Sequence, residues 1–368
     1  MRLRLPLLSL LLLPLAAAAA TPEPFALREG DRVAFLGDGL IEGEQHHGWI
    51  ELMLTTRAAD RNITFRNLGW NGDTPAGDSR FGLSLLQAGH EPADEGWRQL
   101  LRQLEETRPT VLVVGYGMAS SFDGEAGLAR FRADYARLLD EAARLAPGVR
   151  LVLLSPLPHE ALGAPWPDAA PRNAALARYA AAVAELAQAR GARHVPLFEL
   201  LSARRPAPRL TANGIHPTGD GYRELAVVLE EALLGGAGEW RANPRSEVLR
   251  QAILRKNEWF FHRSRPANMA YIFGFRKREQ GRNAAEVLKF DEFIAAEEQS
   301  ITRLRALQPA DVPELPRRIG NAAAVFTPQA RPEFEVGEGL EVTLWAENPL
   351  LHKPIQMNFD AQIGRAHV

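Results

Sequence analysis

Four short segments of the chain carry the polar residue types that catalysis most often uses. They are residues 37–40, 69–74, 115–120 and 213–217. From the residues alone, Asp38 could act as a general base on a water molecule with His216 assisting, which is hydrolytic chemistry. The alternative is structural, because an aspartate in a turn commonly accepts hydrogen bonds from loop amides. The catalytic interpretation requires the four segments to meet in space.

The elements that must bring these segments together alternate between strands and helices from residue 31 to residue 234. Short apolar runs predict strands at 33–36, 63–68, 110–114, 149–154 and 194–197. Amphipathic or alanine-rich stretches predict helices at 49–59, 97–106, 131–145, 173–190 and 222–234. This alternation predicts an α/β fold with a parallel sheet that is covered on both faces. Because functional residues of such sheets lie beyond the carboxyl ends of the strands, we expect them at one edge.

In order and spacing, the four segments resemble the sequence blocks of the SGNH (GDSL) hydrolases. That family has a Gly-Asp-Ser nucleophile turn, a glycine and an asparagine as oxyanion donors, and a late Asp-x-x-His pair. The resemblance covers residues 31–234 and implies a three-layer, flavodoxin-like α/β domain, which we assign to residues 25–236. It also implies an ester hydrolase that acts on acylated carbohydrate.

The family's catalytic residues are only partly present in this chain. Gly39 stands at the position of the nucleophilic serine, so no acyl-enzyme can form there, although its backbone keeps the place of an oxyanion donor. Gly72 matches the oxyanion glycine, whereas Ala119 replaces the oxyanion asparagine. His216 matches the histidine, but Asn213 replaces the aspartate. In a serine-protease triad that change costs about 10⁴ in turnover, because the carboxylate fixes the imidazole tautomer. The resemblance therefore implies a hydrolase fold without its serine mechanism.

Other residues near the strand ends offer substitutes. Four serines are candidate nucleophiles, although serine is also an ordinary turn residue: Ser79, Ser120, Ser121 and Ser155. Aromatic side chains at the same rim would suit sugar rings, the alternative being ordinary packing: Trp49, Trp70 and Tyr116. Of these, Trp70, Tyr116 and Ser120 are the predicted binding residues.

A polar loop is predicted after the first turn, and its residue types suit a divalent metal. With Asp38, its candidate ligands are Glu42, Glu44, His46 and His47. Adjacent histidines rarely face one ion, however, because tetrahedral or octahedral ligand sets need convergent side chains. We therefore predict no metal and no other cofactor.

Composition limits the classes of partner. The chain of 368 residues has a net charge of −2 and no cysteine. The small net charge predicts no basic surface for binding nucleic acid. The lack of cysteine excludes disulfides and thiolate chemistry within the chain. A basic start, an apolar run and a stretch of alanines predict a signal peptide at residues 1–20, the alternative being a retained membrane anchor. We expect an exported protein that is periplasmic or associated with the cell envelope.

The sequence changes character after residue 236. Residues 240–308 predict a helical segment, with two helices joined by an aromatic loop around residues 271–276. Two arrangements stay open, one folded back onto the first domain and one forming a separate helical hairpin. Proline-rich residues 309–333 predict a linker, and a strand pattern follows at 341–345.

The second part of the chain carries a resemblance of its own. Residues 256–262 and 271–276 are similar to large exported proteins of planctomycete- and verrucomicrobia-like bacteria. In those proteins an SGNH-like domain precedes a propeller of the glucose/sorbosone-dehydrogenase type. Residues 334–362 resemble the first strands of that propeller, which implies a truncated propeller domain whose remainder is missing in cis. Residues 363–368 match a translated sequencing adapter, so the natural protein is expected to continue past Gln362.

Together these features predict a pseudo-hydrolase that binds an acylated glycan or a partner domain. Two alternatives stay open. One is a divergent esterase that uses Ser120, or a water activated by Asp38 and His216. The other is a structural spacer for the propeller. A cleft filled by packed side chains would favour the spacer, whereas an open cleft would favour binding or residual catalysis.

Overall fold

A computed structural model of the chain divides it into two compact units, Met1–Pro313 and Glu314–Val368. It describes residues 23–80, 94–204, 209–266, 272, 283–309, 335–339, 341–342, 358–359 and 366–367. The predicted signal peptide lies outside these residues, as do most of the predicted linker and, apart from Ile272, the predicted aromatic loop. Of the strand predicted at 341–345, residues 341 and 342 are described, and they are not in a strand.

A five-stranded parallel sheet forms the centre of the first unit. Its strands are β1 (Arg32–Gly37), β2 (Thr64–Asn67), β3 (Val111–Gly115), β4 (Arg150–Leu154) and β5 (Arg193–Val195). Their order is β2-β1-β3-β4-β5, and all four neighbouring pairs are parallel. The predicted α/β fold with a parallel sheet is confirmed. This order reverses between β1 and β3, where Gly37 lies opposite Gly115, and such a switch point opens a crevice at the carboxyl ends of the strands.

Helices cover both faces of the sheet. In chain order they are α1 (Gly39–His47), α2 (Trp49–Arg57), α3 (Glu95–Thr107), α4 (Leu128–Leu145), α5 (Ala169–Ala189), α6 (Leu197–Ala203), α7 (Gly219–Leu233), α8 (Arg245–Ser264), α9 (Asn283–Val287) and α10 (Phe290–Leu304). A short 3₁₀ helix, Ser120–Asp123, follows β3. None of the helices among the described residues is long and apolar enough to cross a membrane.

The side chains of β1 alternate between two apolar clusters, one on each face of the sheet. Val33 and Phe35 pack with residues of α2, α7 and α8, whereas Ala34 and Leu36 pack with residues of α3, α4 and α5. Successive side chains of a strand point to opposite faces. A strand covered on both faces therefore reads as a continuous apolar run.

Helix α1 corrects the predicted polar loop, because Glu42, Glu44, His46 and His47 are helical. The side chain of Asp38 caps the start of the helix by accepting from the backbone N–H of Leu40. Gly48, with a left-handed φ of 68°, ends it, which is the usual role of glycine after a helix. Glu42 in the first turn also suits the helix dipole.

The helical segment after residue 240 packs onto the sheet domain within the first unit. Helices α8 and α10 contact each other, and α8 also contacts α1, α2 and β2. Leu249, Ala252 and Ile253 of α8 are fully buried in the apolar cluster of the α2–α7 face. Of the two arrangements considered for this segment, these contacts are those of the folded-back one.

The described part of the second unit is small. Residues 335–339 and 341–342 form no regular element. Two short strands, β6 (Asn358–Phe359) and β7 (Ala366–His367), pair antiparallel. The second of these lies in the predicted adapter-derived tail.

Candidate functional site

A cleft opens where the strand order reverses, and it collects most of the predicted site residues. Its volume is about 350 Å³. It lies beyond the carboxyl ends of β1 and β3, where sheets of this type place their ligands. The lining residues are Asp38, Gly39, Leu40, Asn71, Gly72, Gly115, Met118, Ala119, Phe122, Pro156, Leu157, Ile215 and His216.

Asp38 is buried beside this cleft and holds the loops after β1 and β3 together. Its Oδ1 accepts from the backbone N–H of Leu40 at 3.4 Å. Its Oδ2 accepts from the backbone N–H groups of Met118 and Ala119 at 3.1 and 3.3 Å. Burial raises the pKa of the Asp38 carboxyl from 3.8 to about 6, although backbone N–H groups of Ala119, Leu40 and Gly117 oppose the shift. The carboxylate therefore acts as an acceptor for loop amides, which is the structural alternative weighed for it.

Gly39 faces the imidazole of His216 across the position of a missing side chain. A Cβ atom built on Gly39 would lie 3.6 Å from His216 Nε2 and 2.7 Å from Asn71 Oδ1. The histidine is thus turned toward the place of the family's nucleophile, but Asn71 Oδ1 encroaches on it and would have to move for a side chain to fit. The amide of Asn71 now borders that place, a neighbour that the sequence did not single out.

Asn213 contacts His216 as the replaced aspartate would be expected to do. Asn213 Nδ2 lies 3.0 Å from His216 Nδ1, and Asn213 Oδ1 accepts from the backbone N–H of His216 at 3.0 Å. The side chain that orients the ring is therefore a neutral amide, which cannot stabilise an imidazolium as a carboxylate does.

Of the oxyanion positions at Gly72 and Ala119, the first keeps the family's residue type and the second does not. Gly72 lines the cleft with a left-handed φ of 70°, in a turn that a side chain would strain. Ala119 places a methyl group at the family's asparagine position, and its backbone N–H is used by Asp38. The arrangement thus lacks a side-chain donor that such sites use to stabilise developing negative charge.

A buried network of polar side chains holds the loop that contains Gly72. Arg80 and Asp73, each fully buried, form an ion pair with Nε 2.9 Å from Oδ2. The Tyr116 hydroxyl donates to Asp73 Oδ2 at 2.9 Å and accepts from Arg80 Nη2 at 3.1 Å. Arg80 also donates to Gln103 Oε1 and to the carbonyl of Leu68. A fully satisfied network of this kind fixes the conformation of the loop that it joins.

The structure places the predicted binding residues outside the cleft lining. Tyr116 is buried in the network above, so the prediction that it lies at a sugar-binding rim is wrong. Trp70 is also buried, with the guanidinium of Arg265 3.8 Å from the centre of its ring. Trp49 packs against Trp240, and Ser120 is buried in the 3₁₀ helix. Aromatic type and nearness to a strand end do not reveal which way a side chain points.

Phe122 is the aromatic residue that does line the cleft, and sequence reasoning missed it. Its side chain is 63% exposed, and the guanidinium of Arg172 lies 3.2 Å from the centre of its ring. An exposed aromatic ring in the lining of a cleft is available to contact a ligand. Its position two residues after Ser120 was the available signal.

The remaining candidates have other partners. Ser79 Oγ donates to the Gly72 carbonyl, Ser121 Oγ donates to the Met118 carbonyl, and Ser155 Oγ accepts from the Phe198 backbone N–H. The polar residues of α1 do not converge. Glu42 pairs with Arg265, Glu44 accepts from the start of α2, and His47 stacks on Tyr222. Among the described residues, no group of three or more metal-ligand side chains is placed to hold an ion.

Larger clefts exist elsewhere on the first unit. One, of about 540 Å³, lies between α3, α8 and α10, and another, of about 550 Å³, lies beside α6 and α7. We place the functional site in the smaller cleft, because it lies at the switch point and contains the convergent polar groups of Gly39, Asn71 and His216.

The sequence profile of the GDSL-like Lipase/Acylhydrolase family matches residues 35–224, which is more than half of the chain. Curated protein sequences gave no match.

Several solved structures are distantly similar. One is a gut microbial diltiazem-metabolizing enzyme (BT4096), with 23% identity and a TM-score of 0.43. The match covers 60% of this chain and 49% of that enzyme, so the chain spans about half of its length. Another is a catalytic mutant of Axe2, an acetylxylan esterase from Geobacillus stearothermophilus, with 16% identity, a TM-score of 0.41, and coverage of 56% of this chain and 95% of that one. A third is the lipase/acylhydrolase from Enterococcus faecalis, with 17% identity, a TM-score of 0.39, and coverage of 55% and 95%.

Proposed function

This chain belongs to the GDSL-like lipase/acylhydrolase family, and we propose that its cleft is a degenerate hydrolase site that binds a carbohydrate ligand instead of hydrolysing it. The observation that carries the proposal is at Gly39. His216 Nε2 lies 3.6 Å from the position of the absent Cβ, so the base faces a place with no nucleophile.

The substitutes considered for that nucleophile do not fill the place. Ser120 does not line the cleft, and the hydroxyls of Ser121 and Ser155 are hydrogen-bonded to backbone groups away from Gly39. Asp38 is engaged with three backbone N–H groups, which argues against its use as a base on water. These partners favour a binding site over a divergent esterase.

The cleft has the properties of a ligand site and not of a spacer. It is open and has a volume of about 350 Å³, which is within the range of small-molecule sites. Its walls are mainly apolar, and they include the polar side chains of Asn71 and His216 and the exposed ring of Phe122. A domain that served purely as a spacer would gain stability by filling such a cavity.

The cellular location of the protein and the partner domain in the same chain are proposed from the sequence. The predicted signal peptide supports export, and the resemblance of residues 256–262, 271–276 and 334–362 to exported bacterial proteins supports a propeller in cis. The domain would then hold a glycan close to a dehydrogenase-like partner domain. The second candidate ligand of the cleft is the partner domain itself, which would also be bound without hydrolysis.

Hydrolysis and binding by the full chain test the proposal. The rates with p-nitrophenyl acetate and acetylated xylan are expected to equal those of a His216→Ala variant. Oligosaccharide binding by calorimetry is expected to be lost in a Phe122→Ala variant of unchanged stability. Hydrolysis that a serine-directed phosphonate and Ser120→Ala both abolish would overturn the proposal in favour of the divergent esterase. Hydrolysis lost in both Asp38→Asn and His216→Ala would overturn it in favour of activated water.

A further inference from the structure

The hydrogen bonds around Asn213 fix the orientation of its amide. Asn213 Oδ1 accepts from the backbone N–H groups of Ile215 and His216 at 3.2 and 3.0 Å. An amide nitrogen cannot accept these bonds, so the oxygen must lie on that side. The two backbone donors use both lone pairs of the oxygen, although it also lies 3.1 Å from His216 Nδ1.

The amide orientation decides which nitrogen of His216 carries the proton. Asn213 Nδ2 lies 3.0 Å from His216 Nδ1 and is the donor of that contact. In a neutral imidazole, the nitrogen that accepts a hydrogen bond is the one without a proton. With Nδ1 accepting from Asn213 Nδ2, the proton of a neutral ring lies on Nε2, the atom that faces Gly39. This is the reverse of the tautomer that a catalytic base needs, since a base must accept a proton at Nε2.

Two groups of opposite character thus border the place of the missing serine side chain. His216 Nε2–H is a donor, and Asn71 Oδ1 is an acceptor. They lie 3.6 and 2.7 Å from the position of an absent Cβ of Gly39. A hydroxyl group can accept from the first and donate to the second at the same time. An ester oxygen can accept but has no proton for Asn71.

Charge disfavours an anionic ligand in this place. Asp38 lines the same cleft, and the side chain that contacts the His216 ring is the neutral amide of Asn213. An ionised Asp38 repels an anionic ligand. A neutral oxygen is the group that these neighbours accept.

We propose that Asn213 positions His216 as a hydrogen-bond donor, so that the cleft binds a free sugar hydroxyl where the family's serine hydroxyl would lie, with the sugar ring against Phe122. This inference rests on the proposed function and names its ligand class as an unesterified carbohydrate. The exposed face of Phe122 suits the C–H face of a sugar ring, as aromatic side chains at ligand sites commonly do. Asn213 is a positioning residue here, since it acts through His216.

The tautomer is measured directly by ¹H–¹⁵N NMR of the histidine side chains in the full chain, assigned with His216→Gln. We expect His216 to carry its proton on Nε2 in the native protein. The isosteric variant Asn213→Asp is expected to move the proton to Nδ1, because a carboxylate only accepts. An Nδ1–H tautomer in the native protein would overturn the inference even if the cleft showed no hydrolysis.

Binding tests the ligand class with a matched pair of variants. The probes are unsubstituted xylo-, cello- and manno-oligosaccharides and their peracetylated forms. His216→Gln keeps an N–H donor at the place of Nε2 and is expected to retain affinity within roughly threefold. His216→Leu removes that donor, and Asn71→Leu removes the acceptor. Each is expected to weaken binding at least about tenfold, as lost buried hydrogen bonds do.

The outcomes separate this inference from the proposed function. Tighter binding of the peracetylated forms, or no binding of any unsubstituted oligosaccharide, would overturn the hydroxyl assignment and leave a non-hydrolytic site in place. Equal loss of affinity in His216→Gln and His216→Leu, with both variants folded, would also overturn it. Serine-dependent esterase activity would instead overturn the proposed function itself.

Discussion

A serine at position 39 would enter a site whose neighbours are already in place. Gly39 has no left-handed φ, so its backbone accepts a side chain, and its close neighbour is the movable end of Asn71. We expect Gly39→Ser with Asn213→Asp to hydrolyse an activated acetate ester at least about tenfold faster than the native chain. The rate should stay on the order of 10²–10³ below a complete site, because Ala119 offers no side-chain donor.

The control for this repair is Gly39→Ala with Asn213→Asp, which adds the same Cβ without a hydroxyl. Initial rates of p-nitrophenyl acetate hydrolysis, with loss of activity on phosphonate labelling, are the measurement. Equal rates in the two double variants, both folded, would show that the loops have diverged along with the residues.

Asp38 is expected to make the stability of the protein depend on pH. Its folded-state pKa is raised by burial from 3.8 to about 6, so the folded protein keeps this proton at pH values where the unfolded chain has lost it. The resulting stabilisation is fully present below pH ~4 and is lost as the pH rises through about 6. A shift of this size corresponds to about 3 kcal/mol.

Urea denaturation between pH 4 and pH 7.5 measures this effect. The free energy of unfolding of the native chain should fall with pH relative to that of Asp38→Asn, which has no proton to lose. Asp60→Asn, on a side chain that is 74% exposed, should keep the native profile. Parallel profiles for the native chain and Asp38→Asn would contradict the burial argument.

At the scale of elements, the sequence predicts the central strands well and the site less well. The apolar runs that precede Gly37 and Gly115 are buried on both faces, and that burial is what their composition records. The sequence predicts a polar loop where helix α1 lies, because the apolar stripe of that helix is weak. Its two bounds come from the cap at Asp38 and the left-handed Gly48. Asn71 could not be recognised as a neighbour of Gly39, because contacts between loops of different strands depend on register and twist.

Helix α8 is held to α2 by a buried ion pair that the sequence did not reveal. Lys256 Nζ lies 2.7 Å from Glu51 Oε1, with side chains 0% and 4% exposed. It also donates to the Phe65 carbonyl and to Asn257 Oδ1. We expect Lys256→Met to lower the free energy of unfolding by about 3–5 kcal/mol, because it leaves a buried carboxylate without its partner.

A double-mutant cycle with Glu51→Gln isolates the interaction. The double variant should be less destabilised than the sum of the single variants, as expected for groups in direct contact. The exposed pair of Arg132 and Glu185 is the control. There Arg132→Met should cost less than about 1 kcal/mol. A similar small cost for Lys256→Met would show that α8 is not anchored by this pair.

At the scale of the whole molecule, the folding unit extends beyond the family match. The matched region ends at residue 224, whereas the first compact unit runs to Pro313. Helices α8 and α10 supply buried side chains to both apolar clusters, including Ile253 and Leu304 on one face and Phe260 and Ile294 on the other. The helical segment is therefore part of the structure that supports the cleft.

Two truncations test this view of the molecule. A chain that ends at Pro313 keeps the whole first unit and is expected to be soluble and to unfold cooperatively. A chain that ends at Gly238 would expose apolar residues that α8 covers, Ile50 and Met53 of α2 among them. An uncovered apolar surface of that kind favours association. We expect the shorter chain to be insoluble or to unfold without a cooperative transition, as measured by size-exclusion chromatography and thermal denaturation. If it were monomeric and cooperative, the helical segment would be an appendage to a domain that is complete without it.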